Sequence, residues 1–267
     1  MIDAPATKGP LAEAVTDDAF LGGALNLLQP ATGYRAGLDG VLLAAAVEAR
    51  PGEQILDVGS GVGAAGLAVA RRLPQVSVTL IERDPKLAAL ARSNIARNDL
   101  TLRVRVIEAD VTRPLGDIPE LAAAAETFGH ALANPPYQIE GQGTSAGEPS
   151  RAAANAMPAG SLDRWLRFIA AMVRPGGTAT LIHRADALGD ILSTLAGRFG
   201  GAVVLPLHPR EGEPASRILV RAVKGSRAPL ELRPGLVLHN ADHSFRPDIE
   251  AILRRGYDLP LRGGAAG

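Results

Sequence analysis

Short apolar runs alternate with segments of helical periodicity along most of the chain. A short apolar run predicts a buried strand, and apolar residues at helical spacing predict a helix. Their alternation predicts an α/β fold with a doubly wound, mostly parallel sheet and helices on both faces. The last two strands have the pattern of a hairpin, which predicts an antiparallel edge strand. The seven predicted strands are 54–58, 76–81, 102–107, 130–133, 178–183, 202–207 and 217–223.

The segments outside these strands carry weaker signals. Residues 20–28 alternate loosely and are interrupted by a pair of glycines, which indicates an early strand or hairpin. Asp39 stands just before the apolar helix 41–47, where a carboxylate caps free backbone N–H groups. A cap and a ligand contact are both open interpretations for Asp39. Trp165 lies in a helix whose apolar spacing predicts core packing.

Composition limits the classes of protein. The chain has 267 residues, of which 46% are hydrophobic, and we predict one domain over residues 19–267. Residues 1–18 hold four carboxylates and one lysine, which predicts a flexible acidic leader rather than a signal peptide. No apolar run has the length of a membrane span. We therefore expect a cytoplasmic protein without a membrane partner, and we leave the oligomeric state open.

Charge and rare residues narrow the classes further. Lys plus Arg and Asp plus Glu number 28 each, and this balance is not that of a typical nucleic-acid binder, although a local basic patch is compatible with it. The absence of Cys excludes disulfides, thiolate metal sites and a Cys nucleophile. The five His residues show no metal-ligand spacing, so no metal is expected.

The most informative stretch follows the predicted strand 54–58. Gly59, Gly61 and Gly63 alternate there, and an apolar helix begins directly afterwards. Glycines let the backbone turn sharply and approach a ligand, and a helix N-terminus offers unpaired N–H groups. A strand, a glycine turn and a helix in this order predict a nucleotide-cofactor site.

Three carboxylates bear on the choice of cofactor. Residues 61–66 match the dinucleotide pattern G-x-G-x-x-G, and Glu82 at the end of the second strand suits the ribose of either NAD or S-adenosylmethionine. Asp57 repels a pyrophosphate but suits the ammonium group of a methionine moiety, which favours the methyl donor. Asp110 ends the third strand and is a candidate acceptor for an adenine amino group, with a backbone cap as the alternative.

A second motif follows the fourth strand and consists of Asn134, Pro135, Pro136 and Tyr137. The Asn134 amide oxygen and the Pro135 carbonyl oxygen can both accept hydrogen bonds from a planar exocyclic amino group. Two prolines fix the backbone around these acceptors, and a Tyr ring can stack on an extruded base. We interpret the four residues as the catalytic motif for methylation of an amino nitrogen, with a strand-ending turn as the alternative.

With these motifs the chain resembles the class I S-adenosylmethionine-dependent methyltransferases that carry N-P-P-Y and act on amino groups of adenine, cytosine or glutamine. More narrowly, it is similar to the bacterial tRNA(Val)-type adenine-N6 methyltransferase family. Relatives often place an acidic-apolar pair after the second strand, whereas here Arg83 follows Glu82. The stretches that carry the narrower resemblance are 33–39 with 42–44, 56–63, 91–94 with Asn98, 134–137, 217–220 and 236–239.

The resemblance implies a Rossmann-like methyltransferase fold and S-adenosylmethionine as the cofactor. It also implies direct in-line methyl transfer to the N6 nitrogen of adenine in tRNA. The cofactor contacts that it implies are Asp57, Gly59, Glu82, Asp110 and Asn134, with Arg35 and Asp39 as further candidates.

Other functions stay open at this point. The same fold and cofactor also suit rRNA, DNA or a protein glutamine as the methyl acceptor. A nicotinamide-dependent oxidoreductase leaves Asp57 and the N-P-P-Y motif without a role, and a non-catalytic RNA-binding module leaves the cofactor site unused. A cluster of basic residues suggests a phosphate-contacting rim, with a solvated sheet edge as the alternative. The cluster comprises Arg210, Arg217, Arg221, Lys224, Arg227 and Arg233.

Overall fold

One large β-sheet organises the protein. The structure is a computed structural model that describes residues 14–32, 35–136, 138–139, 156–157, 161–259 and 261. Over these residues the strands are β1 (Val15–Phe20), β2 (Leu25–Pro30), β3 (Gln54–Val58), β4 (Ser77–Glu82), β5 (Val104–Glu108), β6 (Phe128–Ala133), β7 (Gln138–Ile139), β8 (Ala156–Met157), β9 (Val173–Arg184), β10 (Phe199–His208), β11 (Arg217–Lys224), β12 (Glu231–Leu232) and β13 (Leu236–Val237).

The strand order of the large sheet is β12–β10–β11–β9–β6–β3–β4–β5, with β13 also beside β10. Strands β3, β4, β5, β6 and β9 run parallel, whereas β11 runs antiparallel to both β9 and β10. The predicted mostly parallel sheet with an antiparallel pair at one side is confirmed. Within that pair β11 is the inner strand, so the reversed strand is not the outermost one. The sheet also gains β12 and β13, which are too short to produce a sequence pattern.

The point where the chain changes direction across the sheet lies between β3 and β6. Strands β4 and β5 continue on one side of β3, and β6 and β9 continue on the other. In open α/β sheets ligands bind at such a switch point, beyond the carboxyl ends of the strands. We call this end of the sheet the carboxyl edge, and both predicted motifs emerge from it.

Helices cover both faces of the sheet. Strand residues alternate between two apolar clusters, so that Ile55 joins one cluster and Leu56 the other. Leu42 and Leu67 pack in the first cluster, and Trp165 packs in the second, which confirms its predicted place in the core. None of the described helices is long and apolar enough to cross a membrane. The helices are α1 (Leu38–Ala45), α2 (Ala64–Arg72), α3 (Pro85–Arg97), α4 (Pro119–Ala123), α5 (Ser161–Met172), α6 (Leu188–Leu195) and α7 (Pro247–Arg255).

The hairpin β1–β2 corrects the predicted boundary of the acidic leader. The predicted leader 1–18 includes residues 15–18, but these residues form most of β1 and pair with β2. Their carboxylates are held by cations elsewhere in the chain: Asp17 pairs with Arg97 at 2.6 Å and Asp18 with Arg35 at 2.8 Å. The prediction is wrong here because an acidic composition suits a solvated strand as well as a leader. Residues 1–13 lie outside the described part of the chain.

Candidate active site

The glycine loop, residues 59–63, joins β3 to α2 at the carboxyl edge. Gly59, Gly61 and Gly63 have φ of +68°, +57° and +89°, a region that favours glycine. Gly63 is also the N-cap residue of α2. At Gly59 an added Cβ would overlap the indole ring of Trp165. The three glycines are therefore required by backbone conformation, and Gly59 also by the close packing of Trp165.

Asp57 is buried in β3 behind this loop. Its Oδ2 accepts a hydrogen bond from the backbone N–H of Gly66, in the first turn of α2, at 2.8 Å. A side chain at Gly66 would overlap Leu80 and come within 2.9 Å of Asp57 Oδ2. Burial raises the pKa of Asp57 to about 7, and the nearby Glu82 carboxylate adds to this effect. A cationic group near Asp57 would favour its ionised form.

Glu82 ends β4 and holds the glycine loop from the neighbouring strand. Its Oε2 accepts from the Gly61 N–H at 2.8 Å, and its Oε1 accepts from the Asp84 N–H at 2.9 Å. The side chain is buried, with 8% of its surface exposed. Each carboxylate oxygen has two acceptor positions, so Glu82 can hold the loop and still accept from a ligand hydroxyl.

Asp110 follows β5 and completes a row of three carboxylates at the ends of adjacent strands. Its Oδ1 accepts from the backbone N–H of Thr112 at 2.9 Å and from the Thr112 hydroxyl at 2.7 Å. Burial opposes ionisation, but the Thr112 hydrogen bonds and the charges of Arg83 and Arg113 outweigh it and lower the pKa of Asp110. The local cap considered in the sequence is thus present, and the structure brings Asp57, Glu82 and Asp110 to one edge.

Asn134 emerges from β6 next to the glycine loop. Val58 of β3 pairs with Ala133 of β6, so the residues that follow them, Gly59 and Asn134, leave the sheet side by side. Asn134 and Pro136 are half-buried and Pro135 is buried. The structure therefore places three residues of the predicted catalytic motif beside the predicted cofactor loop. Tyr137 lies outside the described residues.

Arg35 and Asp39 occupy the segment between β2 and α1. Arg35 donates to Pro30 O, to Thr16 Oγ1 and to Asp18 Oδ2, contacts that fix the hairpin. Asp39 is not the N-cap, because α1 begins at Leu38 and Gly37 precedes it. The Asp39 carboxylate instead accepts from Arg217 Nε at 3.1 Å and joins α1 to β11. These contacts are structural, and a cofactor contact for either residue stays a prediction.

A further observation shows that the loop suits a polar ligand. Ser60 Oγ, between two of the glycines, is buried, and no hydrogen-bond partner for it lies within the described residues. A buried hydroxyl without a partner is costly and points to a missing polar neighbour. Together with the carboxylate row, this donor and acceptor set fits a ligand that carries a ribose, an adenine and an ammonium group. In the described part of the chain, no three or more His, Asp or Glu side chains are arranged so that they could hold a metal ion.

The basic cluster of the last strands is not one surface. Arg217 begins β11 at the carboxyl edge, whereas Lys224 ends the same strand at the opposite edge. Lys224 pairs there with Glu126 at 2.6 Å. Arg221 lies between them and is half-buried, and this burial lowers its pKa. The sequence cluster is therefore divided by the length of a strand, and its Arg210 and Arg217 lie at the carboxyl edge.

Sequence reasoning missed the structural role of Asn94. This fully buried residue of α3 donates to the carbonyl oxygen of Val62 in the glycine loop at 3.0 Å. The sequence shows only an Asn in a helix, four residues before Asn98. That spacing on one helix face is the one signal that indicates a shared partner.

Comparisons with known proteins identify the class of enzyme to which the chain belongs. The family described as methyltransferase small domain matches residues 38–157. A solved structure from Agrobacterium tumefaciens, described as that of a predicted O-methyltransferase, has a TM-score of 0.70 and 33% identity, and the match covers 84% of this chain and all of that chain. An S-adenosylmethionine-dependent O-methyltransferase from Thermotoga maritima shares the fold, with a TM-score of 0.52, 17% identity and coverage of 74% and 68%. The fold is that of an S-adenosylmethionine-dependent methyltransferase.

Curated relatives narrow the class to a family. A Shewanella protein (strain W3-18-1) is 30% identical over 191 residues, which cover 70% of this chain and 76% of the relative. An Aeromonas hydrophila protein is 30% identical over 216 residues, with coverage of 79% and 85%. Both are named tRNA1(Val) (adenine(37)-N6)-methyltransferase, and the chain belongs to their family. It is an S-adenosylmethionine-dependent N-methyltransferase, and the nicotinamide-dependent oxidoreductase considered from the sequence is excluded.

Proposed function

We propose that the protein methylates the exocyclic N6 nitrogen of an adenine in tRNA. The observation that carries this proposal is the position of Asn134 beside Gly59, at the switch point between β3 and β6. An amino-group acceptor and a cofactor loop in adjacent positions are what direct methyl transfer requires. The names of the curated relatives favour tRNA as the substrate, and tRNA as the substrate agrees with a cytoplasmic location.

The proposed cofactor residues act from the β3, β4 and β5 side. S-adenosylmethionine supplies an activated methyl group when it is bound. Glu82 accepts hydrogen bonds from the ribose hydroxyl groups, and Asp110 accepts one from the adenine amino group. Asp57 compensates the positive charge of the methionine ammonium group. Gly59, Gly61 and Gly63 give the ligand close access to the backbone because they carry no side chain.

The proposed acceptor residues act from β6. The Asn134 amide oxygen and the Pro135 carbonyl oxygen accept the two N–H groups of the adenine amine, which orients the nitrogen lone pair. These oxygens also compensate the positive charge that develops on the nitrogen during transfer. Pro135 and Pro136 fix the backbone torsions of this turn. Tyr137 stacks on the target base, which the tRNA presents outside its own stack.

The acceptor is tested by methyl transfer to competing substrates. The purified protein is incubated with labelled S-adenosylmethionine and, separately, with total tRNA, rRNA, DNA and a protein extract. We expect label in tRNA, and mass spectrometry of the digested nucleosides should identify it as N6-methyladenosine. Label only in protein contradicts the proposal, and so does a methyl group on oxygen, the product expected from the description of the Agrobacterium protein as a predicted O-methyltransferase.

A further inference from the structure

The side chain of Asn94 links three separate parts of the fold. Its Oδ1 accepts from the Leu28 N–H of β2 at 2.7 Å, and its Nδ2 donates to the Leu28 carbonyl oxygen at 3.0 Å. The same Nδ2 donates to the Val62 carbonyl oxygen at 3.0 Å. One buried amide of α3 thus contacts both the hairpin β1–β2 and the glycine loop.

Asn98 repeats the contact with β2 one helical turn later. Its Oδ1 accepts from the Asn26 N–H at 3.0 Å, and its Nδ2 donates to the Asn26 carbonyl oxygen at 2.9 Å. Four residues of a helix rise about 6 Å, and two residues of a strand rise about 6.6 Å. The side-chain amides of Asn94 and Asn98 are therefore spaced like two alternate residues of β2, and each can bond to one of them. Unlike Asn94, Asn98 makes its third described bond to its own helix, at Asn94 O.

The bond to Val62 fixes one peptide group of the glycine loop. The carbonyl of the Val62–Gly63 peptide accepts from Asn94, and its N–H donates to the Ser60 carbonyl oxygen at 2.9 Å. Because a peptide group is planar, contacts at both ends define its orientation. The next residue, Gly63, has φ of +89° and is the N-cap of α2. Asn94 thus controls the turn that directs the loop N–H groups and the helix N-terminus.

We propose that Asn94 is a positioning residue for cofactor binding, which couples the docking of the hairpin β1–β2 to the conformation of the glycine loop. The inference depends on the proposed assignment of the loop as the cofactor site and is independent of the methyl acceptor. It adds a role for α3 and the hairpin, neither of which carries a predicted contact with the cofactor.

The test compares Asn94→Ala with Asn98→Ala. Both variants lose three hydrogen bonds of a buried amide, one in α3 and one at its C-cap, so they are expected to lose similar thermal stability. We expect Asn94→Ala alone to weaken the binding of S-adenosylhomocysteine, by about five- to tenfold, measured by calorimetry at a temperature where both variants are folded. Equal affinities of the two variants overturn the inference.

Hydrogen exchange on the unmodified protein provides a second measurement that does not depend on how the variants fold. Coupling is reciprocal, so S-adenosylhomocysteine should slow amide exchange in a peptide from β2 that contains Leu28. Unchanged exchange in β2 overturns the inference. The variant Glu82→Ala shows whether such a result refutes only the role of Asn94 or also the cofactor site. If Glu82→Ala binds S-adenosylhomocysteine normally, the assignment of the glycine loop as the cofactor site is itself wrong.

Discussion

The contacts on the two sides of the carboxyl edge differ strongly in how far apart their partners lie along the chain. On the β3–β4–β5 side, Asp57 holds an N–H nine residues away, and Asp110 holds one two residues away. On the β6–β9–β11 side, a contact at the carboxyl edge joins Asp39 to Arg217, 178 residues apart. The carboxylates of the cofactor side thus hold N–H groups close to them in sequence, and Asn94 adds a contact over 32 residues, whereas the Asp39–Arg217 contact joins much more distant segments.

This difference implies that the two sides can be changed separately. The described hydrogen bonds that hold the cofactor side come from β3, β4, α3 and the turn after β5, so changes at β6 or β11 should leave cofactor binding intact. Asn134 is the exception in position, because it lies beside Gly59 although it belongs to the acceptor side. Substitutions on either side therefore test whether cofactor binding and methyl transfer can be changed independently.

Asn134→Ala should have the largest effect. It removes one of two proposed acceptors for the target amine, and loss of one such preorganised group lowers turnover by about 10²–10³. Binding of S-adenosylhomocysteine should change by less than about threefold, because Asp57, Glu82 and the loop are untouched. Turnover is measured as methyl incorporation into tRNA, and affinity by calorimetry. Unchanged methylation refutes the catalytic role of Asn134, and loss of both activities refutes the separation of the two sides.

Gly59→Ala tests the packing of the cofactor side. The new methyl group would overlap Trp165 at a residue with φ of +68°, so we expect a loss of about 3 kcal/mol of unfolding free energy. Gly52→Ala is the matched control, because Gly52 has φ of +81° and nothing lies near its added Cβ. That variant should lose only about 1–2 kcal/mol from the backbone conformation. Denaturant unfolding measures both, and equal losses would show that Trp165 adjusts freely.

The pH dependence of cofactor binding tests the charge on Asp57. Its pKa of about 7 in the folded protein exceeds the unfolded value, so its contribution to stability is fully present at acidic pH and is lost as the pH rises through 7. The proposed ammonium contact requires the ionised form. Affinity for S-adenosylhomocysteine should therefore fall below pH 7, by up to about tenfold per pH unit.

Asp57→Asn is the control for this pH profile. The amide can keep the acceptor for the Gly66 N–H but does not titrate. Calorimetry between pH 6 and 8 should give a nearly flat profile for this variant and a sloping one for the unmodified protein. Parallel slopes for the two proteins would show that another group causes the pH dependence.

The smallest effect is expected for the basic residues of β11. Arg217→Ala removes a cation at the carboxyl edge and should weaken tRNA binding by about two- to fivefold, with a shallower dependence on salt. Lys224→Ala removes a cation at the other end of the strand and should leave tRNA affinity unchanged. Filter binding at several salt concentrations measures both. An equal loss for Lys224→Ala would show that RNA also contacts the opposite edge.

Local patterns in the sequence predicted the elements of the cofactor side. The glycines, Asp57 and Glu82 each follow from a short strand and the turn after it, and the structure places them together. Asp110 is likewise predictable from the end of β5. The sequence could not show that Glu82 holds the Gly61 N–H, because that contact depends on the pairing of β3 with β4.

The missed features all depend on contacts between distant segments. Composition alone places Asp17 in a flexible leader because its partner, Arg97, lies 80 residues away. The basic residues lie close together in sequence but not in space. The eight residues of β11 span about 23 Å, so Arg217 and Lys224 stand at opposite ends of the strand. For Asn94 the sequence shows only its spacing of four residues from Asn98. Its contact with Val62 could not be predicted, because that contact depends on how β2, α3 and the glycine loop pack together.

Asn94 and the C-cap residue Asn98 of α3 also occupy the outer edge of β2. A strand at the edge of a small sheet exposes backbone groups that can recruit a strand from another molecule. On β2, the N–H and carbonyl groups of Asn26 and Leu28 would form such a template, and Asn94 and Asn98 occupy all four of them. Two side chains thus close an edge that otherwise requires a third strand, and their loss would expose it to intermolecular β-pairing.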